Sequence, residues 1–243
     1  MQVGIIGKGT LGGALAQALD ARPHAPAVIS TTRASAHENR TLVRESDVVL
    51  LCVKPHDVPG VVREIAPVLR ADQVLISTAA GVRADQVRAW SDERTRIVRA
   101  MPNTPARVGH AMTAIARTPA CDTRAIEVAC ALFDDVGKTV VLDERLMDAV
   151  TAVSGCGPAY AFLFIEAMID GALALGIAYD DARVLVAQTL LGSAQMLLAS
   201  DRHPGELRHE VATPGGRTIR GLLKLEEHAV RGAIAAAVIA AGG

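Results

Sequence analysis

The stretch Val3-Gly4-Ile5-Ile6-Gly7-Lys8-Gly9-Thr10-Leu11-Gly12-Gly13-Ala14-Leu15 constrains this chain more than any other. A short apolar run suited to a buried strand ends in Gly7-x-Gly9-x-x-Gly12, and Leu11, Ala14, Leu15 and Ala18 then recur at helical spacing. That is strand, tight turn and helix. Gly7 turns the chain, Gly9 lets backbone approach a pyrophosphate, and Gly12 lets the helix pack against the strand. The helix start then faces the phosphates with free N–H groups and the positive end of its dipole. Glycine-rich turns arise in many folds for steric reasons alone, but a strand before and a helix after point to dinucleotide binding.

With 243 residues, 50% of them apolar, the chain can bury two moderate cores, and two domains are expected. A formal charge of −1 and 2% aromatic residues provide neither the basic field nor the stacking platforms of a nucleic-acid surface. The glycine loop sits where a secretory leader would place its basic and apolar regions, so a cytoplasmic protein is expected. The most apolar long segment, 159–177, carries Glu166 and Asp170, which favours a buried helix over a bilayer span. Cys52, Cys121, Cys130 and Cys156 share no C-x-x-C spacing and read as reduced thiols, Cys52 as a small core residue within a strand. The histidines, from His24 to His228, form no i, i+4 pair, and no metal site is expected.

Beyond the first helix, Pro23 and Pro26 break the chain and 27–30 reads as a second strand. Where an NAD-binding unit places Asp or Glu on the ribose 2′-OH, about 20 residues past the glycines, this chain has Ser30-Thr31-Thr32-Arg33. Hydroxyls and a guanidinium fork suit a 2′-phosphate, which predicts NADPH over NADH. The bland alternative is a solvated loop arginine. Ser35-x-x-Glu38 has the pattern of a capping box opening a helix to Arg44, and 47–53 is a continuous apolar strand for the interior of a parallel sheet. It ends at Lys54-Pro55-His56, and loops at strand carboxyl ends line the ligand crevice of such sheets; Lys54 is either near the cofactor or simply exposed to water.

Helix 58–69, strand 74–77, helix 83–90 and strand 96–100 extend a doubly wound sheet. The two prolines of Met101-Pro102-Asn103-Thr104-Pro105 impose a fixed loop there, placed to contact the nicotinamide half of a cofactor or merely to connect. Strand 112–116, helix 123–133 and strand 138–142 complete a first domain ending near Asp143. The remainder reads as helices 145–153, 158–175, 181–199, 205–211 and 218–240. Alanine and leucine cover nearly all their faces, so this domain is expected to pack against a second copy of itself. Ser154-Gly155-Cys156-Gly157-Pro158 and Thr213-Pro214-Gly215-Gly216-Arg217-Thr218 each precede a helix. The second suits a small carboxylate beside the Thr218 hydroxyl, or is a tight helix–helix turn.

These segments together resemble the pyrroline-5-carboxylate reductase family. The resemblance rests on Gly4-x-x-Gly7-x-Gly9-x-x-Gly12, Val53-Lys54-Pro55, Arg99-Ala100-Met101-Pro102-Asn103-Thr104-Pro105, Asp148 through Tyr160, and Pro214-Gly215-Gly216-Arg217-Thr218-Ile219. It implies a Rossmann-type domain, 1–143, followed by an all-α domain, 144–243, that holds substrate and forms a homodimer, which in this family is often built further into a decamer. It implies NADPH-dependent reduction of 1-pyrroline-5-carboxylate to L-proline. Carried over by position, the pyrophosphate falls to Ile6, Gly7, Lys8, Gly9, Thr10, Leu11 and Gly12, and the adenosine ribose with its 2′-phosphate to Thr31, Thr32, Arg33 and Asn39. Cys52, Val53, Lys54 and Pro55, with Ala100, Met101 and Pro102, hold the cofactor toward the nicotinamide. The substrate carboxylate falls to Gly215, Gly216, Arg217 and Thr218, with Thr218 also reaching the ring nitrogen and Glu144 contacting substrate. Two positions depart from the pattern: Cys156 stands where the family has serine, and Arg217 where it has a small residue or threonine.

Two rivals compete with that reading: an NADPH-dependent reductase of another cyclic imine or of a hydroxy acid, and a non-catalytic NADPH-binding regulator. A β-hydroxyacid dehydrogenase would need a lysine on the interdomain helices, and the only lysine after Lys138 is Lys224.

Overall fold

The strands Gln2–Ile6 (β1), Ala27–Thr31 (β2), Val48–Leu51 (β3), Val74–Ser77 (β4), Arg96–Met101 (β5), Ala111–Arg117 (β6) and Gly137–Asp143 (β7) form one sheet in the order β2-β1-β3-β4-β5-β6-β7. The computed structural model describes residues 1–21, 26–118 and 121–243, so Pro23 and His24 lie outside the described residues. Pairing is parallel except between β5 and β6, where Met101 sits opposite Ala114 in an antiparallel register. Because β1 is flanked by β2 and β3, the chain reverses its direction of travel across the sheet at β1. In open sheets of this kind the ligand crevice opens at that switch point, outside the strand carboxyl ends. The glycine loop leaves β1 there, and Cys52-Val53-Lys54-Pro55 leaves β3 beside it.

Alternation along the central strands explains why they read as unbroken apolar runs. Val48 and Leu50 face one core with Leu15 and Leu19 of Thr10–Asp20 (α1) and Leu132 and Phe133 of Thr123–Asp134 (α5). Val49 and Leu51 face the other, with Val43 of Asn39–Glu45 (α2), Val58 and Val62 of Val58–Ile65 (α3) and Val87 of Ala84–Trp90 (α4). Covered on both faces, Val48–Leu51 is apolar throughout.

After β7 a short turn leads into Met147–Val150 (α6), a π-helical turn at Thr151–Gly155, and Gly157–Ala174 (α7). The break expected between helices at 154–157 is therefore a widened turn within a continuous helical stretch. Cys156 N–H donates to the Thr151 carbonyl at 2.8 Å, five residues back. The Thr151 and Ser154 hydroxyls fold back onto the Met147 and Val150 carbonyls, the side-chain competition that loosens a helical ladder. Tyr179–Leu198 (α8), Pro204–Val211 (α9), Arg217–Glu227 (α10) and Val230–Ala241 (α11) follow. The single helix expected over 218–240 is two, because Ala229 adopts φ 50, a left-handed conformation no helix interior tolerates. Glu226 braces the corner by accepting from Arg231 Nη2 at 2.5 Å.

Contacts divide the chain into Met1–Pro158 with Ala241–Gly243, and Ala159–Ala240. The helical turns after Asp143 thus cluster with the sheet, where Met147 is buried against Met101, Ala114 and Ala116. Among the described residues of the second unit, Ile169, Ala182 and Val186 form a small buried core across α7 and α8, with Ile165, Ala172 and Leu190 packed on it. Phe162, Leu163, Leu175, Val184, Leu185 and Leu198 are each more than half exposed.

Candidate functional site

The glycine loop is built from backbone. The N–H groups of Gly7 and Lys8 both donate to the Thr31 carbonyl, at 3.1 and 2.9 Å, and Gly9 N–H donates to the Gly7 carbonyl at 2.8 Å. The first intrahelical bond runs from Gly13 N–H to the Gly9 carbonyl, so the N–H groups of Thr10, Leu11 and Gly12 lie ahead of the helical ladder. No side chain caps this end and no acid stands in its first turn. A Cβ on Gly12 would overlap the Gly7 carbonyl oxygen, and one on Gly7, at φ 98, would press on the Cys52 carbonyl. At Gly9 a Cβ would meet nothing within 4 Å. Gly7 and Gly12 therefore serve the packing of the loop on itself and on β3, and Gly9 presents bare backbone to open space. An anion the size of a phosphate fits that arrangement.

The residues assigned to the ribose divide into two kinds. Thr31 and Asn39 are buried and satisfy each other, the Thr31 hydroxyl donating to Asn39 Oδ1 at 2.7 Å. Thr32 and Arg33 are exposed. The Arg33 Nη2 donates to both carboxylate oxygens of Asp57, at 3.2 and 3.4 Å. Ser35 does not build the expected capping box: its hydroxyl accepts from the Thr32 N–H at 2.9 Å and so orders the loop rather than the helix. Beside β3, Lys54 and Pro55 are exposed, whereas Cys52 packs against the core, and that burial pushes its thiol up to about 11 against a hydrogen bond to Thr78 that lowers it. Ala100, Met101 and Pro102 are buried.

The proline-bracketed loop is fixed by Asn103, 9% exposed. Its Nδ2 donates to the Ser154 carbonyl at 3.0 Å and its Oδ1 accepts from Met112 N–H at 2.9 Å, tying the loop to the π-helical turn and to β6. Asn103→Ala strands both partners, and a loss of about 1–3 kcal/mol in unfolding free energy is expected by urea denaturation. Glu144 is likewise tied down: its Oε1 accepts from Ala84 N–H at 2.8 Å, at the start of α4, and lies 3.6 Å from Nη1 of Arg99, which is 3% exposed. It thereby satisfies a backbone N–H at the head of α4 from 60 residues away.

In the second unit, Gly215 takes φ 67, Gly216 N–H donates to the Thr213 carbonyl at 3.0 Å, and a Cβ on Gly216 would overlap the Thr213 hydroxyl. Gly216 heads α10 without a side-chain cap. The N–H groups of Arg217, Thr218 and Ile219 thus begin the helix as unpaired donors. Arg217 is exposed and Thr218 half-buried.

The family profile described as pyrroline-5-carboxylate reductase dimerisation matches residues 144–242. That described as NADP oxidoreductase coenzyme F420-dependent matches residues 2–81. The pyrroline-5-carboxylate reductase of Pisum sativum is 41% identical over 203 residues, which cover 84% of this chain and 74% of the relative. The chain belongs to the pyrroline-5-carboxylate reductase family. Its fold agrees with that of solved members. A pyrroline-5-carboxylate reductase from Coxiella burnetii superposes with a TM-score of 0.87 at 31% identity, covering 99% of this chain and 96% of the other. A Plasmodium falciparum pyrroline carboxylate reductase with NADP bound gives 0.86 at 29% identity over 100% and 95%.

Sequence reading within this family missed Asp57 and Asn103. Asp57 follows a different strand from the arginine it meets, so no local pattern announces it. Asn103 carried a usable signal, since an Asn between two prolines at a strand end has the inventory to bond both a donor and an acceptor.

Proposed function

We propose that this protein reduces 1-pyrroline-5-carboxylate to L-proline with NADPH. The observation that carries this is the likeness to pyrroline-5-carboxylate reductases along 84% of the chain, joined to a glycine loop whose free N–H groups and open Gly9 fit a pyrophosphate. In this reading 1–143 binds NADPH and 144–243 supplies the substrate seat and the dimer contact. Thr10, Leu11 and Gly12 offer N–H groups to the pyrophosphate, with Ile6 through Gly9 shaping the seat. Arg33 and Thr32 meet the 2′-phosphate, and Thr31 and Asn39 support them from beneath. Cys52 to Pro55 and Ala100 to Pro102 line the way to the nicotinamide, the latter through backbone.

When bound, NADPH supplies the hydride equivalent that reduces the C=N carbon. The chain's own work is positioning, worth several orders of magnitude when two reactants are held in register. The N–H groups of Arg217 and Thr218 take the substrate carboxylate at the positive end of α10, on the turn that Gly215 and Gly216 shape. The Thr218 hydroxyl orients the ring nitrogen and its proton. Glu144 acts on the substrate indirectly, through the Arg99 and Ala84 contacts that fix its strand exit.

The exposed apolar faces of α7 and α8 belong in a homodimer, which also accounts for Glu144–Ala174, a 31-residue helical stretch long and apolar enough to cross a membrane by length and composition alone. Light scattering is expected to give twice the 25.4 kDa chain mass; a monomer at micromolar concentration refutes the interface. A cytoplasmic location and the absence of nucleic-acid and membrane partners accompany this reading. NADPH oxidation with 1-pyrroline-5-carboxylate, set against other cyclic imines and against NADH, tests the activity. Equal turnover of an unrelated cyclic imine would reassign the substrate.

A further inference from the structure

Arg33 follows β2 and Asp57 follows β3, the two strands that flank β1 and its glycine loop. Their side chains meet across that interval, Nη2 to Oδ2 at 3.2 Å, with the Arg33 side chain 86% exposed and that of Asp57 34%. The end of β2 lacks the acid that would accept a hydrogen bond from an NADH ribose 2′-OH. The fold brings a carboxylate to the same arginine from the next crevice loop.

Resting on the reading of Arg33 as the 2′-phosphate residue, we infer that Asp57 is a specificity-determining residue. Its carboxylate accepts from the ribose 2′-OH of NADH and opposes the 2′-phosphate of NADPH, while Arg33 does the reverse. So exposed a pair contributes little to stability, so holding the fold together is not its main effect. An anion drawn to the Arg33 guanidinium comes within a few ångströms of the Asp57 carboxylate, because both bind one small fork. At such separations like charges repel appreciably even in water, and less as salt rises. The pair thus sets how strongly the site discriminates between the two cofactors, and Asp57 keeps NADH usable.

The experiment is titration of the purified full chain with NADPH and with NADH, read by cofactor fluorescence and by calorimetry, for wild type, Asp57→Ala, Asp57→Asn and Arg33→Ala. Asp57→Ala is expected to raise the ratio Kd(NADH)/Kd(NADPH) at least about fivefold, the scale of one lost hydrogen bond plus one removed repulsion. Asp57→Asn keeps an acceptor without the charge, so NADPH binding tightens as in the alanine variant while NADH binding stays closer to wild type. Arg33→Ala moves the ratio in the opposite direction. If Arg33→Ala shifts the ratio and neither Asp57 variant does, the role of Asp57 is overturned while that of Arg33 stands. If Arg33→Ala leaves the ratio unchanged, the reading of Arg33 itself fails, whatever Asp57 does.

Discussion

Gly12→Ala is expected to cost about 1–3 kcal/mol of unfolding free energy and to weaken NADPH binding at least about tenfold. The new Cβ lands on the Gly7 carbonyl oxygen, and Cys52 Cβ lies 3.0 Å away on the other side, so neither neighbour is a flexible side-chain tip that can swing clear. The loop or the start of α1 must shift instead, and the N–H groups of Thr10 and Leu11 move with it. Gly9→Ala separates packing from binding. Its backbone, at φ −84, accepts alanine without strain, and the added methyl meets no protein atom within 4 Å. That variant should unfold like the wild type, or be slightly more stable through a stiffer unfolded chain. It should still lose NADPH affinity, because the methyl stands where the pyrophosphate approaches. Denaturation curves and NADPH titrations on the two variants side by side give the comparison. A Gly12→Ala protein that melts and binds like the wild type would contradict the close approach of Gly12 to Gly7.

Thr218→Ala is expected to lower turnover at least about tenfold, equivalent to about 1.4 kcal/mol of transition-state stabilisation. The substitution removes the hydroxyl and keeps the backbone N–H groups at the head of α10, which alanine supports at least as well as threonine. Capture of the carboxylate therefore survives while orientation of the ring nitrogen is lost. The effect belongs in kcat more than in KM, and Thr218→Ser restores most of it. Steady-state kinetics with saturating NADPH separates the two parameters. Wild-type turnover in Thr218→Ala removes the role assigned to that hydroxyl.

What the residues announced in advance follows from locality. β1, β3, β4 and β5 are legible because a strand covered on both faces is mostly apolar, and Val48–Leu51 has no polar residue to obscure that, whereas β4 and β5 each carry a buried polar one, Ser77 and Arg99. The glycine loop is legible because its spacing encodes a steric requirement within six residues. The antiparallel entry of β6 is not, since pairing direction depends on where a distant strand edge lies. Ser35 illustrates a local rule losing to a nearer competitor: its hydroxyl had a helix start to cap, but the Thr32 N–H reached it first. Ala229 carries no warning either, because alanine is the residue least expected to leave a helix and neither Gly nor Pro stands beside it in Glu227-His228-Ala229-Val230-Arg231. At the candidate site, the two turns that leave backbone N–H groups ahead of a helix, before α1 and before α10, were readable from glycine alone. The Arg33–Asp57 pair, separated by 24 residues, and the Asn103–Ser154 tie, separated by 51, needed the fold.

The hydrogen bonds of the glycine loop are made within the chain itself: the Thr31 carbonyl receives Gly7 and Lys8, and that of Gly7 receives Gly9. The conformational entropy of those residues has thus been surrendered during folding, and association does not have to surrender it again. The seat is a mould rather than a clasp. In the proposed reading, a fragment containing only the pyrophosphate and adenosine meets a loop ordered by its own hydrogen bonds, with the positive end of the α1 dipole turned toward its charge.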